Sequence, residues 1–304
     1  MTFLIILSLI LSFLINLFSI FLARKYKLID DPKGKKLKIH RKPVLISGGI
    51  GIVFSTLAII SFFLIDGKMD LNSYQKILVY LFFPSLIIAI FGIVDDIKHL
   101  KPVVRLTYQS VASIFVLLMI IEKFSLLEVV FITISTILIL GIISATNMTD
   151  GMDGLCGAMV LITLLSYFYL STGQTINLYF LCLILSILVF LVFNFNPAKI
   201  FLGNSGSEFL GFSVGIFAIY LIFSSTKFIQ ILFIISMVGV PLIDMLFSIV
   251  RRLINHQPIT SGDRNHIYDR MLKKGFSQKK VWLILTICQI FINISLIYLY
   301  LLFE

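Results

Sequence analysis

One short polar stretch, Asn147-Met-Thr-Asp-Gly-Met-Asp-Gly154, carries two carboxylates between two long apolar segments. Asp150 and Asp153 are three residues apart, so they share one face wherever the segment is helical. An aspartate at the bilayer centre costs about 2.5–3.5 kcal/mol, and a position at a helix end avoids most of that cost. Gly151 and Gly154 allow a close approach of the backbone. The stretch therefore predicts a site for a polar, charged ligand at one membrane surface.

Three further polar stretches also lie where apolar segments end. The adjacent acids Asp95 and Asp96 close one segment, and one or two carboxylates commonly hold Mg²⁺ together with substrate phosphates. Residues 193–207 place glycines and serines before another segment, where free backbone amides would face a phosphate. Residues 251–270 contain arginines, which pair with a pyrophosphate through two hydrogen bonds. Each stretch is also compatible with an ordinary role as solvated acids, a capped turn or a cationic anchor.

The elements that position these stretches are apolar helices. Of the 304 residues, 59% are hydrophobic and 13% are charged, and a soluble domain carries roughly twice that charged fraction. Apolar runs of about twenty residues, which span about 30 Å as a helix, repeat along the chain. We predict one all-α integral membrane domain, 1–304, with about ten transmembrane helices. The predicted helices cover residues 3–22, 51–65, 77–94, 103–121, 124–145, 155–170, 176–193, 209–223, 228–250 and 281–303.

Several local features refine this helix prediction. The first segment has no positive region before it and no small-residue cleavage site, so we expect a retained helix. Pro84 in the third helix and Gly239 with Pro241 in the ninth predict kinks. The cysteines Cys156, Cys182 and Cys288 lie in or beside apolar segments without CxxC spacing, which favours packed thiols.

The distribution of positive charge predicts the orientation of the bundle. Residues 23–50, 94–105, 145–156, 194–208 and 250–280 contain 21 of the 25 lysines and arginines. The positive-inside rule places these connections in the cytoplasm and both termini outside. The net charge of +10 is thus explained by contact with anionic headgroups and attraction of an anionic substrate, without a nucleic-acid partner.

The order of the polar blocks resembles one family of membrane enzymes, the polyprenyl-phosphate N-acetylhexosamine-1-phosphate transferases. That superfamily includes the phospho-N-acetylmuramoyl-pentapeptide transferase and the enzymes that start O-antigen and teichoic-acid linkage units. The resemblance extends over essentially the whole chain. Its blocks are His40 followed by Gly48-Gly49, Gly92-Ile-Val-Asp-Asp96, Asn147-Met-Thr-Asp-Gly-Met-Asp-Gly-Leu155, Asn194-Phe-Asn-Pro-Ala-Lys-Ile-Phe-Leu-Gly203 and Pro241-Leu-Ile-Asp244.

The resemblance implies a function and a set of site residues. It implies transfer of a sugar 1-phosphate from a UDP-N-acetylhexosamine to a polyprenyl (undecaprenyl) phosphate with release of UMP, in the bacterial cytoplasmic (inner) membrane. The implied cofactor is Mg²⁺, with Mn²⁺ as an alternative, and the sequence also allows a homodimer. Catalytic roles are predicted for Asp95, Asp96 and Asp153, and metal binding for Asn147, Asn204 and Asp96. Substrate binding is predicted for Asn147, Asp150, Asn194, Phe201, Gly203, His266, Arg264 and His40.

Three departures from the family pattern bear on this prediction. Relatives usually have aspartate where this chain has Asn204, and an amide oxygen can ligate Mg²⁺ without supplying a charge, so we predict weaker metal binding. Relatives usually have His-x-His-His in the last loop, whereas His266-Ile-Tyr-Asp269 keeps only the first histidine. The usual Pro-Arg pair before Gly48 is replaced by Leu45-Ile46-Ser47. We therefore predict an active transferase with an altered donor preference.

Two other classes of function stay open on the sequence. The departures also fit a family member without catalytic activity that binds lipid phosphate as a scaffold, although the four acids Asp95, Asp96, Asp150 and Asp153 are all present. A transporter needs charged groups deep within its spans. Here the acids gather near one surface, which disfavours transport.

Overall fold

The fold is known from a computed structural model, in which residues 2–32, 42–65, 72, 81–120, 125–171, 176–225, 227–259 and 263–303 are described. In these ranges the chain is almost entirely helical. The helices are α1 Thr2–Lys25, α2 Gly48–Ile65, α3 Phe83–Lys98, α4 Pro102–Ile120, α5 Leu126–Thr149, α6 Leu155–Leu170, α7 Ile176–Asn194, α8 Gly203–Ser224, α9 Phe228–Ser236, α10 Val240–Ile254, α11 Ile267–Lys273 and α12 Gln278–Leu302.

A membrane-embedded helical protein is confirmed. Six of the described helices, α1, α4, α5, α7, α8 and α12, are long and apolar enough to cross a membrane, and α9 with α10 would make a seventh span. The remaining apolar helices include α2 and α6, which are shorter. The predicted start of the third helix at residue 77 lies outside the described residues.

The centre of the bundle is α8, which is buried along nearly its whole length. Two glycines on this helix allow α5 to approach closely. A Cβ atom at Gly211 would lie 2.7 Å from the Cα atom of Ile143, and one at Gly215 would lie 3.1 Å from the side chain of Ile139. Small residues at such contacts are the usual means by which membrane helices pack. The position of α8 therefore places its N-terminus, at Gly203, in the middle of one end of the bundle.

Helix α8 begins six residues earlier than the predicted residue 209. Polar residues 203–208 were excluded from the predicted span because of their side chains, but they form its first turns. The carboxylate of Asp96 accepts hydrogen bonds from the backbone amides of Asn204 and Ser205. This carboxylate supplies partners for two of the free N–H groups at the helix N-terminus, which makes a helical start favourable there.

The predicted kink in the ninth helix is confirmed and is a complete break. Helices α9 and α10 differ in direction by 86°, and Gly239 between them has a φ of 65°. The side chain of Gln289 in α12 fills the break: its Oε1 accepts from the amide of Val240, and its Nε2 donates to the carbonyl of Met237. The backbone groups released by the break thus have partners inside the protein, as they must in lipid.

A small sheet covers the same end of the bundle as the N-terminus of α8. Strands β1 Ile29–Asp30, β2 Val44–Ile46 and β3 Ile200–Phe201 lie in that order, with β1 antiparallel and β3 parallel to β2. The sheet ties the connection after α1 to the connection before α8. These two connections are far apart in sequence, so the sheet fixes part of the site described next.

Candidate active site

A cavity of about 710 Å³ lies at the end of the bundle that holds the small sheet and the N-terminus of α8. Its walls come from several separate parts of the chain, between Tyr26 and Gln278. Nine residues singled out in the sequence line this one cavity. They are Asp96, Asn147, Asp150, Asp153, Asn194, Phe201, Gly203, Asn204 and Arg264. The four polar stretches therefore converge at one place.

Asp96 lies in the last turn of α3 and faces the N-terminus of α8. Its Oδ1 accepts from the amide of Asn204 at 2.9 Å, and its Oδ2 accepts from the amide of Ser205 at 3.4 Å. The positive end of the helix dipole stabilises a carboxylate at this position. Gly203 allows the contact, because it has a φ of +73° and a Cβ atom there would lie 2.7 Å from Asp96 Oδ2.

Asp95 lies beside Asp96 but points away from the cavity, with 3% of its surface exposed. Its Oδ1 accepts from the amide of Leu100 at 2.5 Å, and its Oδ2 accepts from Asn204 Nδ2 at 2.8 Å. Arg105 Nη1 lies 3.5 Å from the same Oδ2 and balances its charge. Because the amide nitrogen of Asn204 is committed to Asp95, its amide oxygen is the atom that remains to bind a ligand in the cavity.

The polar turn after α5 is held by side chains from the neighbouring connection. Asn194 Oδ1 accepts from the amide of Gly154 at 2.9 Å, and Asn194 Nδ2 donates to the carbonyl of Ile200 at 2.7 Å. Asp153 Oδ2 accepts from Asn196 Nδ2 at 2.9 Å and from the amide of Ala198 at 3.1 Å. Loss of such a side chain would strand buried backbone groups at a cost of about 1–3 kcal/mol each. Both residues therefore position the turn as well as lining the cavity.

The C-terminal end of α5, directly before this turn, also faces the cavity. Asn147 Oδ1 accepts from Ser207 Oγ at 3.2 Å, which links α5 to the first turn of α8. Asp150 is the C-cap residue of α5. Together with Asp96 and Asn204, these residues bring carboxylate and amide oxygens to the cavity.

The last loop contributes one of the two residues predicted there. Arg264 lines the cavity. His266 lies behind the wall, with 6% of its surface exposed, and its Nδ1 is 2.7 Å from Asp244 Oδ2. Asp244 also accepts from the amide of Ile267 at 2.7 Å and so caps α11. The remaining predicted residue, His40, lies outside the described residues.

Some cavity residues were not found by the sequence analysis. They are the segment Tyr26–Asp30, His99 and Gln278. His99 follows the two acids and adopts a left-handed conformation with a φ of 50°, which is uncommon for a residue other than glycine. Gln278 comes directly after Ser277, which caps α12. Neither has a sequence pattern that distinguishes it from an ordinary residue at a helix end.

The chemistry of the donor atoms fits a hard divalent cation. Mg²⁺ prefers oxygen ligands and usually takes one or two carboxylates together with substrate phosphates and water. Asp96, Asn147 and Asn204 bring one carboxylate and two amide oxygens to the same cavity. The described residues contain no group of three or more His, Cys, Asp and Glu side chains placed to hold a metal by themselves. A metal here would therefore depend on the phosphates of its substrate.

Asn204→Asp tests this cation site directly. The variant places a second carboxylate where the amide nitrogen of Asn204 lies 2.8 Å from Asp95 Oδ2, and like charges at that distance repel unless a cation or proton intervenes. We expect a lower melting temperature than wild type without divalent cation and a larger rise on addition of Mg²⁺. Thermal unfolding in detergent with a UDP-N-acetylhexosamine present, because its phosphates would complete the cation site, is compared with and without Mg²⁺ and measures both. Equal Mg²⁺ responses in the two proteins would contradict the placement of the cation at Asn204.

The fold and the cavity together define a polytopic membrane protein with an oxygen-rich, acidic site at one end of its helix bundle. Comparison with known proteins shows which family this is. The profile of glycosyl transferase family 4 matches residues 77–222. A probable undecaprenyl-phosphate N-acetylglucosaminyl 1-phosphate transferase of Bacillus subtilis is 32% identical over 292 residues, which cover 91% of this chain and 79% of that protein. The chain belongs to glycosyl transferase family 4.

Two further relatives agree with this membership. The undecaprenyl-phosphate alpha-N-acetylglucosaminyl 1-phosphate transferase of Escherichia coli K12 is 26% identical over 289 residues, 87% of this chain and 74% of the relative. A decaprenyl-phosphate N-acetylglucosaminephosphotransferase of Mycobacterium tuberculosis is 30% identical over 178 residues, 51% of this chain and 44% of the relative. The resemblance read from the motif order is therefore confirmed.

Proposed function

We propose that this protein is a glycosyl-1-phosphate transferase that moves an N-acetylhexosamine 1-phosphate from a UDP-sugar to a polyprenyl phosphate such as undecaprenyl phosphate. UMP would be released, and the product would start a cell-envelope glycan. One observation carries the proposal: nine polar-stretch residues line a single cavity at the end of an apolar bundle. Such a cavity can hold a charged nucleotide sugar beside a lipid whose chain stays in the membrane.

The chemistry of the acceptor limits what the acids need to do. A phosphate monoester has a second pKa near 6, so at pH 7 the acceptor is already mostly a dianion. A strict general base would add little, and the larger difficulty is to bring this dianion to a charged diphosphate. A bound Mg²⁺ would supply charge neutralisation. We therefore assign the acids mainly to positioning.

Individual roles follow from the contacts. Asp96 faces the cavity and, with Asn147 and Asn204, supplies the oxygen atoms that would hold the metal. Asp95 acts through Asn204, because its carboxylate fixes the amide of that residue. Asp153, predicted to be catalytic, has one carboxylate oxygen that accepts from Asn196 and Ala198, so we assign it to holding the cavity wall.

The distribution of lysines and arginines along the chain supports an orientation of the protein in the membrane. We propose ten transmembrane helices with both termini outside and the cavity facing the cytoplasm, in the bacterial inner membrane. The support is that 21 of the 25 lysines and arginines lie in residues 23–50, 94–105, 145–156, 194–208 and 250–280 of the sequence, which the positive-inside rule assigns to the cytoplasm. A homodimer stays a prediction.

A reconstituted assay tests the proposed function. Purified protein, undecaprenyl phosphate and Mg²⁺ are incubated with each of several UDP-N-acetylhexosamines while UMP is measured. We expect UMP release from at least one donor, loss of release on chelation with EDTA, and recovery when Mg²⁺ or Mn²⁺ is added back, because the proposed neutralisation of the reacting phosphates requires a divalent cation.

Each arm of that assay has an outcome that would contradict the proposal. Full UMP release in EDTA would reject the metal-dependent mechanism. Failure of every donor, with protein that is folded and binds undecaprenyl phosphate, would favour the scaffold hypothesis. Omission of undecaprenyl phosphate is the control, and UMP released without it would indicate hydrolysis of the donor and not transfer.

A further inference from the structure

The wall of the cavity that contains Arg264 is built on a buried carboxylate. Arg264 Nη2 lies 3.0 Å from Asp269 Oδ1, and Asp269 has only 2% of its surface exposed. The second oxygen of Asp269 is buried and accepts no hydrogen bond from the described residues. A buried carboxylate is costly unless it is paired. Arg264 therefore serves as the counter-charge of Asp269 while its side chain, about one quarter exposed, lines the cavity.

An aromatic platform sets the direction of the arginine. The guanidinium carbon of Arg264 lies 6.0 Å from the centre of the Tyr268 ring, within the range of a cation–π contact. Tyr268 is itself buried and stacks on His266, with ring centres 5.6 Å apart. Its hydroxyl packs directly against Gly151, where a Cβ atom would collide with it. The last loop thus packs directly against the turn that contains Asp150 and Asp153.

The backbone of the loop is also fixed. Lys273 Nζ donates to the carbonyl of Arg264 at 2.6 Å. Asp244 accepts from the amide of Ile267, the first residue of α11. The backbone of Arg264 is therefore fixed by a hydrogen bond, and its guanidinium contacts the Tyr268 ring and pairs with the Asp269 carboxylate. A guanidinium fixed in this way presents its remaining N–H groups to the cavity, where they match the oxygens of a phosphate.

The position of Arg264 favours the nucleotide donor over the lipid acceptor. A second cavity of about 270 Å³ lies between α2 and α3, and among the described residues that line it Ser205 alone has a polar side chain. It shares Ile50, Ile93 and Ser205 with the main cavity and none of the last-loop residues. An apolar chain would approach from that side. The wall that contains Arg264 and Gln278 is therefore available to the water-soluble nucleotide-sugar donor.

We propose that Asp269 is a positioning residue that holds the Arg264 guanidinium at the cavity wall, where Arg264 binds the diphosphate of the nucleotide-sugar donor. This inference rests on the proposed function. It gives a role to two of the residues, Tyr268 and Asp269, that stand where relatives usually carry histidines. In this chain the ring and the carboxylate support an arginine instead.

A double-mutant cycle tests the proposal. The dissociation constant of UDP-N-acetylglucosamine is measured by calorimetry for wild type, Asp269→Asn, Arg264→Gln and the double variant. A charge-assisted hydrogen bond contributes about 1.5–3 kcal/mol, so each single variant is expected to bind the donor about tenfold or more weakly. In the Arg264→Gln background, Asp269→Asn should change the affinity by less than about twofold, because its effect passes through Arg264.

Two further measurements separate positioning from folding. The KM for the donor should rise in Asp269→Asn while the KM for undecaprenyl phosphate stays unchanged. Asp269→Glu keeps the charge and should retain more donor affinity than Asp269→Asn. If the asparagine variant is unstable, the glutamate variant still tests the positioning role. Glu128→Gln is the control: Glu128 forms the capping box at the N-terminal end of α5, away from the last loop, so donor affinity should not change.

The possible contradictions are distinct. Wild-type protein that binds no UDP-sugar in the panel would overturn the proposed function together with the role of Arg264. Wild type that binds donor while Asp269→Asn binds it equally well would overturn only the positioning role. Independent, additive effects of the two single substitutions would also overturn it, because Asp269 would then act without Arg264.

Discussion

Asp96→Asn is expected to lower the rate of UMP release by about a thousandfold, because it removes the one carboxylate proposed to hold the Mg²⁺ that would neutralise the reacting phosphates; loss of a single electrostatic stabiliser costs about 10²–10³ in rate. The protein should stay folded, because the asparagine Oδ1 can still accept from the amide of Asn204, as Asp96 Oδ1 does at 2.9 Å. What is lost is the negative charge that faces the cavity. The measurement is the initial rate with saturating donor, acceptor and Mg²⁺.

The same variant distinguishes positioning from proton transfer. At pH 9 the acceptor phosphate is fully deprotonated, so a variant that lacked only a general base would recover its activity. We expect no recovery of Asp96→Asn at pH 9. Glu128→Gln is the control, since Glu128 lies in the capping box at the opposite end of α5, and it should leave the rate nearly unchanged. Activity within about tenfold of wild type in Asp96→Asn would contradict the assignment of Asp96.

Gly203→Ala is expected to have the second-largest effect, through geometry and not through charge. The backbone of Gly203 has a φ of +73°, and a Cβ atom would lie 2.6 Å from Ile46 Cγ2 and 2.7 Å from Asp96 Oδ2. A left-handed conformation costs an L-residue about 1–2 kcal/mol, and Asp96 must also move. A displacement of about 1 Å in a site costs on the order of a hundredfold in rate. We expect that loss in UMP release and a lower melting temperature.

Gly141→Ala is the matched control for this substitution. Gly141 lies within α5, and a Cβ atom there would meet only the end of Met245, at 3.9 Å. Alanine in a helix interior is more stable than glycine by about 0.5–1 kcal/mol. This variant should therefore keep full activity and melt at the same or a slightly higher temperature. Equal losses in both variants would show that the effect is general sensitivity to glycine replacement.

The sequence was sufficient to predict which stretches meet. Carboxylates such as Asp95 and Asp96 at the end of an apolar helix cost free energy unless they bind a ligand or have polar partners. The acids at several helix ends were therefore expected to lie close together. The structure brings Asp96, Asp150 and Arg264 to one cavity. The charge pattern and apolar run lengths were likewise sufficient for the class of fold.

The sequence could not show which polar side chains face the cavity and which hold the surrounding backbone in place. Asn194 has both ends of its amide bonded to the backbone of distant residues, and no spacing rule identifies Gly154 and Ile200 as those partners. Asp95 and Asp96 are neighbours, yet one is buried against Arg105 and the other faces the cavity. These differences depend on the rotation of α3 against α8, which only tertiary packing determines.

The start of α8 was predicted wrongly for a related reason. Hydropathy excludes residues 203–208 from a span, because Asn204, Ser205 and Glu208 are polar. In the structure two of these residues have partners on α3 and α4: Asn204 donates to Asp95, and Glu208 Oε2 accepts from Tyr108 at 2.5 Å. A polar helical turn is stable in such a bundle when neighbouring helices supply partners. That information lies about one hundred residues away in the sequence.

Transfer of the sugar together with its phosphate is tested most directly by following the phosphorus of the donor. The UDP-N-acetylhexosamine that supports UMP release, labelled with ³²P at the β-phosphate and with ¹⁴C in the sugar, is incubated with the protein, Mg²⁺ and undecaprenyl phosphate, and the lipid is then extracted. We expect both labels to enter the lipid fraction in equal amounts, with unlabelled UMP left in water. Sugar label in the lipid without the β-phosphate, or label in neither, would contradict it.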